Sequence, residues 1–385
     1  MATPHRGRAG IRPCGRFTPV LGSWPPDPAD ASLRVCYFGT YERGYPRNSQ
    51  VISCLRKAGV EVEEVHLSVW DDDRNGWSAG PAQAAKLAAA EARLLLLRLP
   101  RDFDAFIVGY PGHFDLPAAR RAARGRPVVF NPLVSLADTL VTDRGRFPAD
   151  SFAARTLERI DRHAFRAADV VVADTEAQAR FFAELAGLGE VPVCFVGAEE
   201  RLFEPGWHVA DEFVALFVGK LIPLQGVDTI LAAARLAPDI RFRIVGSGQL
   251  DGLLADPPPN VEHVPWIEYE QLPNEIRQAG CSLGVFGTTG KARRVIPNKA
   301  FQAIACGAPL VTADTPAARE LLTDEASALL VPAGDAEALA AAIRRLAADL
   351  ELASRIAAGG RAAYERKASE AVLGERWREI IERLL

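Results

Sequence analysis

Lys291, Arg293 and Arg294 crowd into one loop with Gly287 and Gly290, and the loop runs into a short apolar repeat at Phe301, Ile304 and Ala305. Pro297-Asn298 reads as a helix start with Asn298 as its N-cap, Gly307 as the stop and Pro309 as the opening of the next strand. A cationic loop that ends in a helix N-terminus suits a phosphate, because free backbone N–H groups and the helix dipole add to the side-chain charge. The plain alternative is a solvated basic loop. Lysine usage favours the first reading: only six of the 45 basic residues are Lys, and Lys291 and Lys299 flank this loop. A further one, Lys220, ends the apolar run FVGK. Where an Arg-rich chain keeps Lys, a compact ammonium has a use that a guanidinium does not serve.

Other residues offer weaker chemistry. Gly39-Thr-Tyr-Glu-Arg-Gly44 follows the first apolar run and precedes a helical pattern. There Tyr41 and Arg43 could meet a substrate, or the segment could be a structural turn. Gly246-Ser-Gly248 is a lone GxG that tight-turn chemistry explains equally well. His113 ends a strand-like run, and Asp138, Asp143 and Arg144 form a polar cluster, readable as acceptor contacts or as a loop ion-pair set. Asp71-Asp72-Asp73 resembles a metal-holding DxD, but its polar surroundings favour a solvated loop. The six cysteines are scattered without a CxxC pair and read as small core residues of a reducing compartment.

The elements that must position these residues alternate. Strand patterns at 33–38, 61–67, 105–110, 127–131, 169–174 and 191–197 are separated by helical ones, including 46–58, 81–99, about 150–168 and 176–186 with Thr175 as its cap. After a polar stretch at 198–212 the alternation restarts, with strands at 213–219, 240–246, 260–264, 281–286, 308–313 and 328–332. Two doubly wound parallel sheets facing a central cleft follow from this pattern, and 385 residues suit two domains. Residues 1–31 read as a disordered tail. The net charge of −4 argues against a general nucleic-acid binder, so any anion site is a local concentration of charge. Helix 81–99 reads mainly as core packing; with Arg93, Arg98 and Arg101 it could also touch an anionic membrane.

Taken in order, VGKLIPLQG (218–226), IVGSGQL (244–250), NVEHVPWIEYEQLP (260–273), IPNKAFQAIACGAPLVTADTPAARELL (296–322) and LLVPAGDAEALAAAI (329–343) resemble the retaining glycosyltransferases of family 4, which have the GT-B fold. The resemblance implies an N-terminal acceptor-binding Rossmann-like domain at 32–205 and a C-terminal nucleotide-sugar-binding one at 206–365. It also implies a helix at 366–385 that crosses back to the first domain. The donor would meet Gly219, Lys220, Gly246, Gly248, Trp266, Ile267, Lys291, Arg294, Asn298, Lys299 and Gln302. The acceptor would meet Gly39, Tyr41, Arg43, Gly44, His113 and Asp138, with Lys220, Arg294, Lys299, His113 and Asp138 closest to the chemistry. The family's diphosphate pair of Arg and Lys falls on Lys220 and Gln225, and its two Glu fall on Arg294 and Gln302. A family His after the fourth strand is replaced near Asn131-Pro132.

The expected reaction moves a sugar from a nucleoside-diphosphate sugar to a hydroxyl acceptor (a cell-surface glycan, a glycolipid or a small glycoside), with retention and without metal or cofactor. The expected location is cytoplasmic, with peripheral contact at the inner membrane face as an extension. The alternatives are a non-catalytic sugar-nucleotide binder and a GT-B-like nucleotide-sugar epimerase.

Overall fold

The computed structural model describes residues 32–70, 80–208 and 212–385. The tail 1–31, the Asp71–Asp73 run and linker residues 209–211 lie outside the described residues. The first half alternates β1 (Arg34–Gly39), α1 (Pro46–Lys57), β2 (Glu61–His66), α2 (Pro81–Leu96), β3 (Ala105–Val108), α3 (Leu116–Ala123) and β4 (Val128–Phe130). A π-helical turn (Asp138–Asp143), α4 (Phe152–Ala167), β5 (Val170–Val171) and α5 (Glu176–Ala186) complete it. Its five strands are parallel in the order β2-β1-β3-β4-β5.

The second half runs β6 (Val214–Val218), α6 (Val227–Leu236), β7 (Arg241–Val245), β8 (Val261–Val264), α7 (Leu272–Gln278) and β9 (Cys281–Leu283). It continues through α8 (Asn298–Ala305), β10 (Leu310–Ala313), α9 (Pro316–Leu321), β11 (Leu329–Val331), α10 (Ala336–Ala348) and α11 (Leu350–Lys367). Its six parallel strands lie in the order β11-β10-β9-β6-β7-β8. Buried strands such as Ala215–Phe217 and Ala105–Val108 read as unbroken apolar runs because helices cover both faces.

Each sheet reverses its strand order at one place, β1/β3 in the first half and β6/β9 in the second. In open α/β sheets such a reversal opens a crevice at the carboxyl ends of the strands. The last helix, α12 (Glu370–Glu382), returns to the first half, where Leu373, Trp377, Ile380 and Ile381 share a core with Val35, Val51 and Leu55. Gly374 permits that packing, since a Cβ there would collide with the Cys54 carbonyl.

Three expectations fail. Residues 191–197 do not form a strand: only a bridge joins Val193 to Ala173, and the carbonyls of Cys194 and Phe195 accept from Arg47 instead. Asn298 is the first residue of α8 and Pro297 occupies the cap position, without a side-chain cap. Helix α2 buries only Ala90 and Leu94, so core packing does not account for it.

Candidate functional site

The β6/β9 crevice is built around a buried lysine. Beyond β6 the chain turns at Gly219, whose φ of +150° suits glycine, and tightens into a 3-10 turn at Pro223–Gln225. Lys299, in the first turn of α8, reaches under this segment. Its ammonium donates to Oε1 of Gln225 at 2.6 Å and lies 3.5 Å above the ring centre of Phe217. A Cβ on Gly219 would sit 3.0 Å from that ammonium, so the glycine leaves room for it. Burial drives the Lys299 pKa well below the usual lysine value, and among the described residues no carboxylate pairs with it. An ammonium taken out of water and offset only by an amide and a ring face is an anion site in waiting. Lys220, one residue past Gly219, is exposed at the same mouth.

The neighbouring glycines fit the tight-turn reading. A Cβ on Gly246 would overlap the Gly219 carbonyl, and one on Gly248 would lie 2.7 Å from the Leu221 carbonyl. They let the turns after β6 and β7 stack on each other. Trp266 stands 58% exposed after β8, while Ile267 packs against the core below. Gln302 is buried, and its amide donates to the Tyr269 hydroxyl at 3.3 Å.

The basic loop points into the other half of the molecule. Lys291 donates to Thr139 at 2.9 Å and lies 3.9 Å from Asp143, and burial pulls its pKa down while the Asp143 charge opposes the shift. Arg294 pairs with Asp138 at 2.8 Å and covers the Phe181 ring, and its carbonyl accepts from the Thr175 hydroxyl. Glu320 of α9 accepts from the Glu176 and Ala177 amides at the start of α5. Arg294 and Asp138, expected to serve donor and acceptor, are therefore engaged with each other across the cleft.

The β1/β3 crevice is sealed from within. Asp115 accepts from the Thr40 amide at 2.7 Å and its hydroxyl at 2.9 Å, and a Cβ on Gly39 would overlap its carboxylate. Tyr41 is fully buried, with its hydroxyl on Glu64, and Arg43 pairs with the same carboxylate. Gly44 of that turn has open space around it. His113 is a core residue: it lies between Phe130 and Phe165, 3.3 Å from Asp161, and burial lowers its pKa. Asp161 in turn accepts from Ser135 and from the Leu136 and Ala137 amides, which sets the turn carrying Asp138. Asp115 and Asp161 went unnoticed in the sequence, and no spacing signal marks either.

Among the described residues no three His, Cys, Asp or Glu converge as metal ligands. No described helix is long and apolar enough to cross a membrane.

Residues 212–349, which hold this lysine and its turn, match the family described as Glycosyl transferases group 1. The lipopolysaccharide core biosynthesis glycosyltransferase LpsD of Rhizobium meliloti is 25% identical over 183 residues, 45% of this chain and 50% of that one. The chain thus spans about half the length of that relative. The D-inositol 3-phosphate glycosyltransferase of Geodermatophilus obscurus is 28% identical over 338 residues, 77% of this chain and 70% of that one. Among solved structures, Anabaena HepE in complex with UDP and glucose superposes with a TM-score of 0.63 at 17% identity, over 91% of this chain and 100% of that one. That segment is similar to the group 1 glycosyl transferases, and the two parallel-sheet halves form a GT-B fold.

Proposed function

We propose that this chain transfers a sugar from a nucleoside-diphosphate sugar to a hydroxyl acceptor, with retention of configuration and without a metal. The observation that carries the reading is Lys299, a buried ammonium with no carboxylate partner among the described residues, placed at the switch point of the half whose residues 212–349 match group 1. As the glycosidic bond breaks, the diphosphate gains charge, and Lys299 with exposed Lys220 meets it without reorganisation. A front-face displacement draws the acceptor proton onto the departing phosphate oxygen and needs no enzymatic nucleophile. The UDP of the HepE complex supports a UDP-type donor, and the lipopolysaccharide relative supports a lipid-linked glycan acceptor.

Peripheral membrane contact fits α2: Leu96 is 77% exposed with Leu95 and Leu97 beside it, and Arg93, Arg98 and Arg101 are exposed around them. Cosedimentation with anionic vesicles, lost in Leu96→Asp, checks that part. The transfer reading is tested by melting the protein with a panel of nucleoside diphosphates and nucleotide sugars. At least one should raise the Tm of wild type and raise that of Lys299→Met much less. A flat response across the panel overturns the reading.

A further inference from the structure

The amino-terminal end of the first sheet, opposite its crevice, carries a cavity of about 350 Å³ that sugar transfer does not use. Buried Phe103, Phe106 and Ala123 form its floor, and Arg101, Arg124 and Arg126 stand exposed at its rim. Arg126 shapes the wall: its Nη1 donates to the Phe103 carbonyl at 3.0 Å and its Nη2 to the Arg101 carbonyl at 3.2 Å. The carboxylates of the neighbouring loops are engaged elsewhere. Asp102 pairs with Arg34, Asp104 accepts from the Arg34 amide at 2.8 Å, and Asp169 pairs with Arg120 at 2.6 Å. Among the described residues, the Arg101 and Arg124 guanidinium groups have no hydrogen-bond or ion-pair partner. Arg124 is also strained. It caps α3 at φ +49° and ψ +44°, the left-handed conformation in which glycine is usual. A cation near a helix C-terminus complements the dipole, but Arg120 and Arg121 already do so from the last turn. A strained cation that its own helix does not need, at the rim of a cavity, points to a use.

An apolar floor under unpaired guanidinium groups narrows the choice of ligand. An inorganic anion leaves the floor uncovered, and a neutral apolar molecule leaves the rim unanswered. The volume is at the small end of the roughly 300–1,000 Å³ of ligand pockets, which suits one short chain or one ring. We propose that this cavity binds a compact amphiphilic anion, its apolar body on Phe103 and Phe106 and its phosphate or carboxylate head held by Arg101 and Arg124. The planar guanidinium fork matches either head group with paired hydrogen bonds. Two sources supply such a molecule. One is a soluble anion, and the other is the end of a membrane lipid, because the exposed run Leu95–Leu97 stops three residues before Pro100, which also lines the cavity. The site rests neither on the transfer reading nor on membrane contact by α2.

The test titrates the full chain calorimetrically with octyl phosphate below its micelle concentration, beside inorganic phosphate and octyl glucoside. Octyl phosphate should bind roughly tenfold or more tightly than either, because it alone answers both floor and rim. Arg101→Gln and Arg124→Gly should each weaken that binding by roughly tenfold or more, as losing one charge-assisted contact implies. Arg124→Gly also relieves the backbone, so its Tm should not fall and its lost binding is not lost folding. Octyl phosphate bound no better than the two other probes, or bound equally by wild type and both variants, overturns the proposal. Cosedimentation with phosphatidylglycerol vesicles then reads the source. Release of the protein by octyl phosphate, together with weaker cosedimentation of Arg124→Gly, makes the occupant a lipid. No cosedimentation, or cosedimentation indifferent to both changes, makes it a soluble anion, and the site stands in either case.

Discussion

The two halves begin alike and end with opposite charges under the same glycine. Gly39 ends the first strand of its sheet and Gly219 follows that of the other; each takes a positive φ, and each borders the switch point. Under Gly39 lies the Asp115 carboxylate, which already accepts two hydrogen bonds from Thr40. Under Gly219 lies the Lys299 ammonium, which has an amide for company and, among the described residues, no carboxylate. In the first half an internal anion fills the turn that could have held a phosphate. In the second an internal cation leaves the turn short of one. The same architecture thus sets a carboxylate behind one glycine and an ammonium behind the other.

Removing the cation is the most direct way to break the comparison. Lys299→Ala should lower kcat by roughly 10²-fold or more, as loss of a preorganised charge at a leaving group does. Lys299→Met, which keeps the apolar stem, should raise the Tm of the unliganded protein, because it removes an ammonium that burial penalises. The sign agrees with proton linkage: the folded state holds this proton less tightly than the unfolded chain, so the charge works against folding below the ordinary lysine pKa. Wild-type kcat in the alanine variant, or a lower Tm in the methionine variant, would return Lys299 to ordinary core packing.

Removing the anion should do the opposite kind of damage. Asp115→Ala leaves the Thr40 amide and hydroxyl unmatched and should cost about 1–3 kcal/mol of stability. Nucleoside-diphosphate affinity should stay as it is, since the closed crevice takes no part in donor binding. Denaturant unfolding beside ligand titration checks both halves of that statement, and a donor affinity that falls with stability would dissolve the contrast.

The contrast can also be sharpened by moving the charge. Gln225 carries the amide that holds Lys299, so Gln225→Lys in the Lys299→Met background sets an ammonium on the other side of the same 2.6 Å contact. Roughly a tenfold recovery of kcat over the single variant is expected, worth about 1.4 kcal/mol. No recovery would mean that the position of the cation matters as much as its presence.

These opposed crevices show what one-dimensional pattern can carry. The strand runs, the helix of Glu176–Ala186 with its Thr175 cap, and the segment order from Val218 to Ile343 were legible because each depends on neighbours within a few residues. Lys299 stood out too, through its rarity and its place beside Asn298. Its burial was not, because that depends on Gly219 and Phe217, about eighty residues earlier. Asp115 meets Thr40 across 75 positions, and Lys291 meets Thr139 across 152. Arg294 looked like a free cation, and only the folded cleft shows it spent on Asp138. Pairing across a cleft leaves no periodic trace, so the site expected around Gly39 and His113 went to the crevice that its own carboxylate had closed.

The smallest expected effect concerns the carboxyl group behind Asp115. Glu91, from α2, is pushed far above the usual carboxylate range by burial, by its hydrogen bond to Asp115 and by the Asp115 charge. It therefore keeps a proton in the folded protein at neutral pH and sheds it on unfolding. A group whose folded pKa is raised contributes stability that is complete below its ordinary value near 4.5 and fades as pH climbs towards the raised one. Wild-type Tm should then fall between about pH 6 and pH 9 by more than that of Glu91→Gln, whose amide can donate to Asp115 at every pH. A difference of about 2 °C or more is a reasonable threshold, since it corresponds to roughly 1.5 kcal/mol in a chain of this size. The nucleotide-induced Tm rise should follow pH identically in both proteins, because Glu91 serves the closed crevice and not the open one. Parallel Tm curves for the two proteins would show that Asp115 holds the first turn without a proton behind it.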